Sequence, residues 1–304
     1  QTCALPILRG PQSTLFGQNA SAGVIIIVTQ KPQFTAGGYV EGTLGNYGER
    51  ILKGKWTGPV SDTVAVSLTG TTNKRDGYFS DLKAGNKIND RDRLDLRGQL
   101  LWNASDDLSV RVITDYSDIS EVCCGVSNLV NGPTSRIIQS APVTAIPTLP
   151  IPLYVPINGQ IYGNDPYGRS AYLNKAPVNS VVNRGTSLHL DWNLGNFKLT
   201  SITSVRNQKT DFDYDFDFTS GDLGNTNRNV GDIDTKTQEL RLAFDNGGKV
   251  RGLLGAYLMK ETVRYDNTIL LGPGFRSYAA GLFSGAGGAT LPASRSEEHT
   301  SELQ

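Results

Sequence analysis

Few residues of this chain have the types and spacing that carry chemistry. His189 and the adjacent Cys123 and Cys124 are the metal-ligand or nucleophile candidates inside its patterned part. A zinc site needs more ligands than these supply. No glycine-rich phosphate loop or nucleophile elbow occurs. The densest acidic group is Asp211, Asp213, Asp215 and Asp217, alternating with Phe212, Tyr214, Phe216 and Phe218. On a strand, period two puts such carboxylates on one side and the aromatics on the other. The acids read as a hydrated strand tip that resists edge pairing, or as a site for calcium or a cationic ligand. Tyr162, Tyr167 and Arg169 are further candidate ligand contacts, in a proline-rich stretch. This inventory does not support catalysis: no catalytic residue, resident metal or cofactor is expected.

The two ends read differently from the rest. Arg295 to Gln304, RSEEHTSELQ, resembles a translated sequencing adapter, and Gln1 to Ile7, QTCALPI, its reverse complement in another frame. Both are set aside from fold reasoning, as a fusion scar would be. The whole chain holds 29 basic and 29 acidic residues; without the ends, which carry one basic and three acidic, it holds 28 and 26. A net charge of +2 gives no sign of a nucleic-acid partner. No run of ~20 apolar residues suggests a membrane-crossing helix.

From residue 34 onward, alternating apolar and polar residues are broken by turns. About nine strands are expected, near 37–46, 49–57, 63–75, 90–102, 108–118, 183–193, 197–216, 235–244 and 250–264. Leu94, Leu96, Leu100 and Trp102 share one face of the fourth, opposite Arg93, Asp95, Arg97 and Gln99. Val110 and Val112 in the fifth, Leu188 and Leu190 in the sixth, and Leu240 in the eighth are set against polar neighbours in the same way. In the ninth, Leu253 and Leu254 fall on opposite faces and leave the pattern ambiguous. Short turns after Trp56, Trp102, Leu194 and Phe244 alternate with longer excursions at 76–89, 119–182, 217–234 and beyond Asp266. A soluble sandwich gives the same alternation with shorter strands and more even loops. An outer-membrane barrel puts short turns on the periplasmic side and long loops outside.

One earlier stretch ties the pattern to a family. Leu8 to Pro32, LRGPQSTLFGQNASAGVIIIVTQKP, reads as an Arg9-Gly10-Pro11 turn, a helical turn from Ser13 or Thr14 through Phe16, and a β-branched strand from Val24 to Thr29. It resembles the end of the plug domain of TonB-dependent outer-membrane receptors, whose pattern LRGPxxxLFGxxAxxGxIxIxT it matches. Leu8 to Gln12, Leu15-Phe16-Gly17, Ala20, Gly23, Ile25, Ile27 and Thr29 agree. Ala22 replaces a common glycine and Ile26 a common polar residue.

The resemblance implies an all-β fold: part of a transmembrane antiparallel β-barrel, about nine strands, preceded by the C-terminal piece of an α/β plug. Residues 8–33 would end the plug and 34–294 form the N-terminal part of the barrel, with 1–7 and 295–304 adapter-like. A receptor barrel of 22 strands places about thirteen more beyond Ser294. The apolar faces, with Leu94, Leu96, Val110, Val112, Leu188, Leu190 and Leu240, would meet outer-membrane lipid. Trp56, Trp102, Trp192 and Phe244 would form the periplasmic aromatic girdle. The acidic run would place its aromatics at the outer rim and its carboxylates toward the lumen. Arg9 would meet Glu239 across the plug–barrel contact. Cys123 and Cys124, in an oxidising compartment, would be bridged although adjacent. The implied function is TonB-dependent uptake of an extracellular ligand, a ferric siderophore above all, with TonB bound through a missing N-terminal part. The alternatives are an importer of oligosaccharide or cobalamin, a passive porin-like barrel, or a barrel-embedded hydrolase, which would need a serine beside His189.

Overall fold

The computed structural model describes residues 7–9, 23–25, 28–139, 157–163, 165, 167–245 and 247–283, with backbone alone at 7–9, 23–25, 225, 280 and 283. Its main element is a nine-stranded antiparallel sheet. In chain order the described strands are β1 (Ile7–Arg9), β2 (Gly23–Ile25), β3 (Gly37–Leu44), β4 (Arg50–Pro59), β5 (Val64–Arg75), β6 (Phe79–Asp81) and β7 (Lys87–Ile88). Then follow β8 (Arg91–Asn103), β9 (Leu108–Glu121), β10 (Ser170–Ala171), β11 (Val178–Leu194), β12 (Phe197–Asp213), β13 (Gly224–Asp245) and β14 (Arg251–Leu271). The sheet is a meander, β14-β13-β12-β11-β9-β8-β5-β4-β3, in which each long strand pairs with the next. No described helix is long and apolar enough to cross a membrane.

The nine expected strands are the nine of this sheet, with different ends. β11, β13 and β14 run well past the expected limits, so the excursion expected at 217–234 shrinks to the residues between β12 and Gly224. The residues added to β13 are mostly polar on both faces, where period two gives little signal, whereas those added to β11 and β14 include Val178, Val181, Val182, Ile269, Leu270 and Leu271 without strict alternation. The twelfth strand shows the opposite error: β12 stops at Asp213 rather than at 216. Asp215 turns the chain there by accepting the backbone N–H groups of Asp217 (3.0 Å) and Phe218 (2.8 Å), an Asx-type turn that competes with the ladder.

Register fixes which side chains share a face. Leu96 pairs with Tyr116, Leu100 with Val112, Val112 with Leu188, Val110 with Leu190, and Leu190 with Ser201, which pairs with Leu240. Leu94 lies two residues from Leu96 on the same strand, so all seven residues expected to meet lipid share one face. Trp56, Trp102, Trp192 and Phe244 lie on it too, at its short-turn end, with Phe244 against Phe197 at 5.0 Å between ring centroids. Leu254 pairs with Leu242 on this face and Leu253 with Ala243 on the other, which settles the ambiguous strand. Two of the short turns close through left-handed Gly195 (φ 63°) and Gly247 (φ 72°), where a side chain would be strained.

The segment before the sheet departs from expectation in one respect. β2 covers Gly23–Ile25 and pairs antiparallel with β1, Ile7 opposite Ile25. Thr29, expected inside this strand, is outside any strand. Residues from 28 onward leave the ladder and lie on the polar face of the sheet instead. There Gln99 Nε2 donates to the Gln30 carbonyl (3.2 Å), Lys55 Nζ to Gln30 Oε1 (2.6 Å), and the Gln33 N–H to Thr57 Oγ1 (2.9 Å). The turn at Gly10-Pro11 and the helical turn through Phe16 lie outside the described residues.

At the opposite end from the short turns, the long excursions build a small body of their own. β10 pairs parallel with β6, and β6 with β7. Phe79, Ile88, Ala171 and Leu173 form its buried core, with Tyr78, Val122 and Phe218 packed against them.

A polar wall and its mouth

Alternation delivers a row of charges to the face on which residues 28–33 lie. Lys55, Thr69, Arg97, Asp115, Gly185 and Arg206 follow one another across six neighbouring strands. Arg206 reaches over Gly185 to hold Asp115 in a two-pronged pair, at 2.5 Å and 3.3 Å. A Cβ on Gly185 would stand 2.8 Å from Arg206 Cζ, so the missing side chain is what admits the arginine. A cavity of about 650 Å³ lies between residues 28–30 and this wall, lined by Lys55, Asp95, Arg97, Gln99 and Asp115.

Nearer the short turns, His189 lies on the same polar face with Ser187 Oγ 3.3 Å from its Nε2. A hydrolase would need a carboxylate behind that ring. Asp191 instead accepts from Thr200 Oγ1 (2.7 Å) and pairs with Lys198 (3.5 Å), and among the described residues no acid hydrogen-bonds His189. Glu239 is on this face and pairs with Arg241, two residues along its own strand. Arg9 ends β1, and its side chain lies outside the described residues.

At the mouth the strongest cluster is one that the sequence did not single out. The Glu121 side chain is only 1% exposed. It receives Arg91 Nη1 (3.1 Å), Arg93 Nε (2.6 Å) and Asn179 Nδ2 (3.2 Å). Charge-assisted pairs of this kind are the strong ones, and here one carboxylate joins β8, β9 and β11. The sequence signal is the period-two continuation of β9 past residue 118, which runs into the stretch expected to be loop.

The acidic run is not one set of ligands. Asp211 and Asp213 pair across the sheet with Ser180 and Val178, on the parity of Leu190, so they lie on the outward face and Phe212 on the inward one. This reverses the expected sides, because β12 keeps its register without a bulge and its upper residues are polar outside as well as inside. Asp211 holds Arg228 bidentately at 2.8 and 2.7 Å, and Asp213 holds Lys175. Asp215 also accepts the Asn174 N–H (2.7 Å), while Asp217 accepts from Thr219 and the Leu223 N–H. Among the described residues no group of three or more His, Cys, Asp or Glu side chains could hold a metal ion.

The loop candidates part company as well. Tyr162 donates to Asp165 (3.3 Å), and Tyr167 is 90% exposed. Arg169 donates to the Tyr47 hydroxyl and lies 5.8 Å from the Tyr78 ring centre, with Arg75 also near that ring at 5.1 Å. Cys123 and Cys124 are joined by a disulfide, in a stretch held by Asp90 and Asn89 through the Val122 and Gly125 N–H groups.

Burial pushes the Asp215 carboxyl up to about 6, and burial raises Asp217 in the same direction. A folded value above the unfolded one means that this contribution to loop order is fully present below about pH 4. It is lost as the pH rises through about 6. Amide exchange at residues 174 and 217–219, corrected for intrinsic rates, should therefore show more protection at pH 5 than at pH 8. Asp215→Asn should flatten the difference. Equal protection at both pH values in the unsubstituted protein would refute this account.

No family model matches the chain. It is 36% identical over 107 residues to the ferrioxamine B receptor of Salmonella typhimurium, and 42% identical over 59 residues to the pesticin receptor of Yersinia enterocolitica. These alignments cover 32% and 19% of this chain, and the chain spans only 15% and 9% of those relatives' lengths. In fold it is similar to the ferric yersiniabactin uptake receptor of Yersinia pestis, with a TM-score of 0.68 and 19% identity over 87% of this chain and 37% of that one. The siderophore receptor of Acinetobacter baumannii gives 0.63 and 12%, over 88% and 37%.

An antiparallel wall with an apolar outer face and a preceding segment laid on its polar inner face defines the class of plugged outer-membrane barrels. Within that class, the curated relatives and the structural neighbours are outer-membrane receptors, and the chain is similar to part of one of them.

Proposed function

We propose that the receptor containing this chain imports a ferric siderophore across the outer membrane, driven by TonB acting on the plug. The supporting observation is the placement of residues 28–33, hydrogen-bonded through Gln30 and Gln33 to the inner wall. A passive porin-like barrel has no use for that segment. The ligand class comes from the relatives, a ferrioxamine B receptor among them. In this proposal residues 8–33 end the plug and 34–294 belong to the barrel, with 1–7 and 295–304 adapter-derived. Arg9 shares the Glu239 carboxylate with Arg241, outer-membrane lipid surrounds the wall, and the ligand enters past Arg169 and the mouth loops. Residues Tyr162 and Tyr167 remain proposed ligand contacts.

The test is radio-iron uptake by the full-length receptor in a host lacking its own ferric-siderophore receptors. Ferrioxamine B and ferric yersiniabactin are supplied separately. At least one should enter ten or more times faster than in the empty host, and entry should stop when TonB is removed. Uptake at background for both, or uptake that survives loss of TonB, would overturn the proposal.

A further inference from the structure

The turn between β3 and β4, at the mouth end of the wall, carries a residue that its backbone does not favour. The Glu49 N–H donates to the Asn46 carbonyl (3.4 Å), and the two residues between them, Tyr47 (φ 60°) and Gly48 (φ 66°), are both left-handed. That is the pattern of a two-residue I′ turn, which favours Asn-Gly, Asp-Gly or Gly-Gly. A bulky side chain at positive φ is an outlier. Four non-glycine residues among those described have positive φ; Asn89 and Asn158 are of the tolerant type, and Tyr47 is not. Such a conformation persists only where the surroundings over-determine it.

Tyr47 makes three contacts outside its own turn. Its carbonyl accepts the Asp76 N–H (2.9 Å), just past the end of β5. Its ring centre lies 6.0 Å from that of Tyr78, with the planes tilted by 51°, a favourable aromatic arrangement. Its hydroxyl accepts from Arg169, whose guanidinium also stands within cation–π range of the Tyr78 ring. The Arg169 carbonyl in turn accepts the Ser80 N–H (2.9 Å), where β10 joins β6. One side chain therefore ties the first hairpin of the wall to the small body built by the excursions. The carbonyl contact needs no tyrosine, because any residue supplies a carbonyl. The ring and hydroxyl contacts do.

We propose that Tyr47 is a latch: the hairpin accepts an unfavourable left-handed tyrosine because its ring and hydroxyl fasten the segment 167–171 and set the position of Arg169 at the mouth. The turn and the latch are separable. Asparagine suits a left-handed backbone better than tyrosine, so Tyr47→Asn relieves the turn while removing the contacts to Tyr78 and Arg169. A tyrosine that served only its own turn would give the opposite response. Where the ligand enters past Arg169, as proposed above, the latch also fixes the place at which that cation meets it. The test needs no ligand, so a receptor that imports neither siderophore would overturn the uptake reading and leave the latch to be decided separately.

The experiment is amide exchange, read by mass spectrometry, on the folded full-length receptor and its Y47N, Y47F and R169A variants. Two groups of amides report separately. Glu49 and Asp76 donate to the turn itself, at Asn46 and Tyr47. Ser80 donates to the Arg169 carbonyl, and Tyr167 and Gly168 donate to Asp165 beside it. In Y47N the first group should exchange no faster than in the unsubstituted receptor, while the second exchanges at least tenfold faster. Y47F, which keeps the ring and loses the hydroxyl acceptor, should speed the second group at least threefold. R169A should match Y47N there, and Y47N/R169A should be no faster than either single variant, because both remove the same contact. Unchanged exchange of the second group in Y47N overturns the proposal. Faster exchange at Glu49 and Asp76 also overturns it, since the tyrosine would then be supporting its own turn, and so does additivity in the double variant. Should Y47N fail to fold, Y47F decides: threefold faster exchange of the second group upholds the latch, and none overturns it.

Discussion

Glu121→Ala is expected to unfasten the mouth of the wall, at a cost of about 3 kcal/mol, the low end for a buried charge pair that loses one partner. The low end applies because the two arginines are each 36% exposed and recover some hydration, whereas the glutamate is 1% exposed and recovers none in the folded state. Removing it leaves Arg91 and Arg93 side by side, with their remaining interaction repulsive, and takes a partner from Asn179. The damage should be local. β8, β9 and β11 keep their ladders, so the barrel should still insert, but the excursion that follows Glu121 loses its footing. Limited proteolysis of the full-length receptor should cut between residues 122 and 177 at least tenfold faster in the variant. Glu121→Gln, which keeps the shape and loses the charge, should fall between. Cleavage of E121A at the wild-type rate would show that the cluster contributes nothing to holding the loop.

That glutamate also shows where sequence reasoning reached its limit. Inside the bilayer one face must be apolar and the other polar, so Leu188, His189 and Leu190 declare their sides at once. Above the bilayer both faces meet water, and the same backbone continues with no alternation to mark it. The extra residues of β13, from Gly224 to Asp234, are of this kind. The acidic run failed for the same reason: its aromatics look like a membrane face, yet Phe212 is on the inner parity and Asp211 on the outer. Polar partners drawn from distant loops, such as Lys175 for Asp213 or Asn174 for Asp215, leave no trace in local spacing. What the sequence does carry strongly is the nine-strand order and the face of each strand, together with the plug-like stretch from Leu8. The lumenal row shows both sides. Arg97 and Asp115 could be assigned to the inner face from alternation, but the pairing of Asp115 with Arg206 required the register and the bare backbone of Gly185.

Placing an arginine at the middle of the outer face should be the most damaging change to insertion itself. Leu188 is the position to choose, four residues from Trp192 at the short-turn end and four from Arg184 at the other. It is 43% exposed on the bare sheet and pairs with Val112. That exposure is what a lipid-facing residue shows in the absence of lipid. A charge at the bilayer midplane of a barrel costs about 2–4 kcal/mol, falling toward zero near the interfaces. Leu188→Arg in the full-length receptor should therefore lower folding stability in vesicles by about 3 kcal/mol. Leu94→Arg, near the outer interface, should cost about 1 kcal/mol or less. Ser204→Arg is the control, since Ser204 pairs with Ser187 on the inner face and its substituent meets a hydrated lumen. The depth dependence separates a lipid penalty from simple loss of packing, which would not grade from Leu94 to Leu188. Equal stability of the Leu188 and Ser204 variants, measured by tryptophan fluorescence during urea unfolding from vesicles, would mean that the outer and inner faces are assigned the wrong way round.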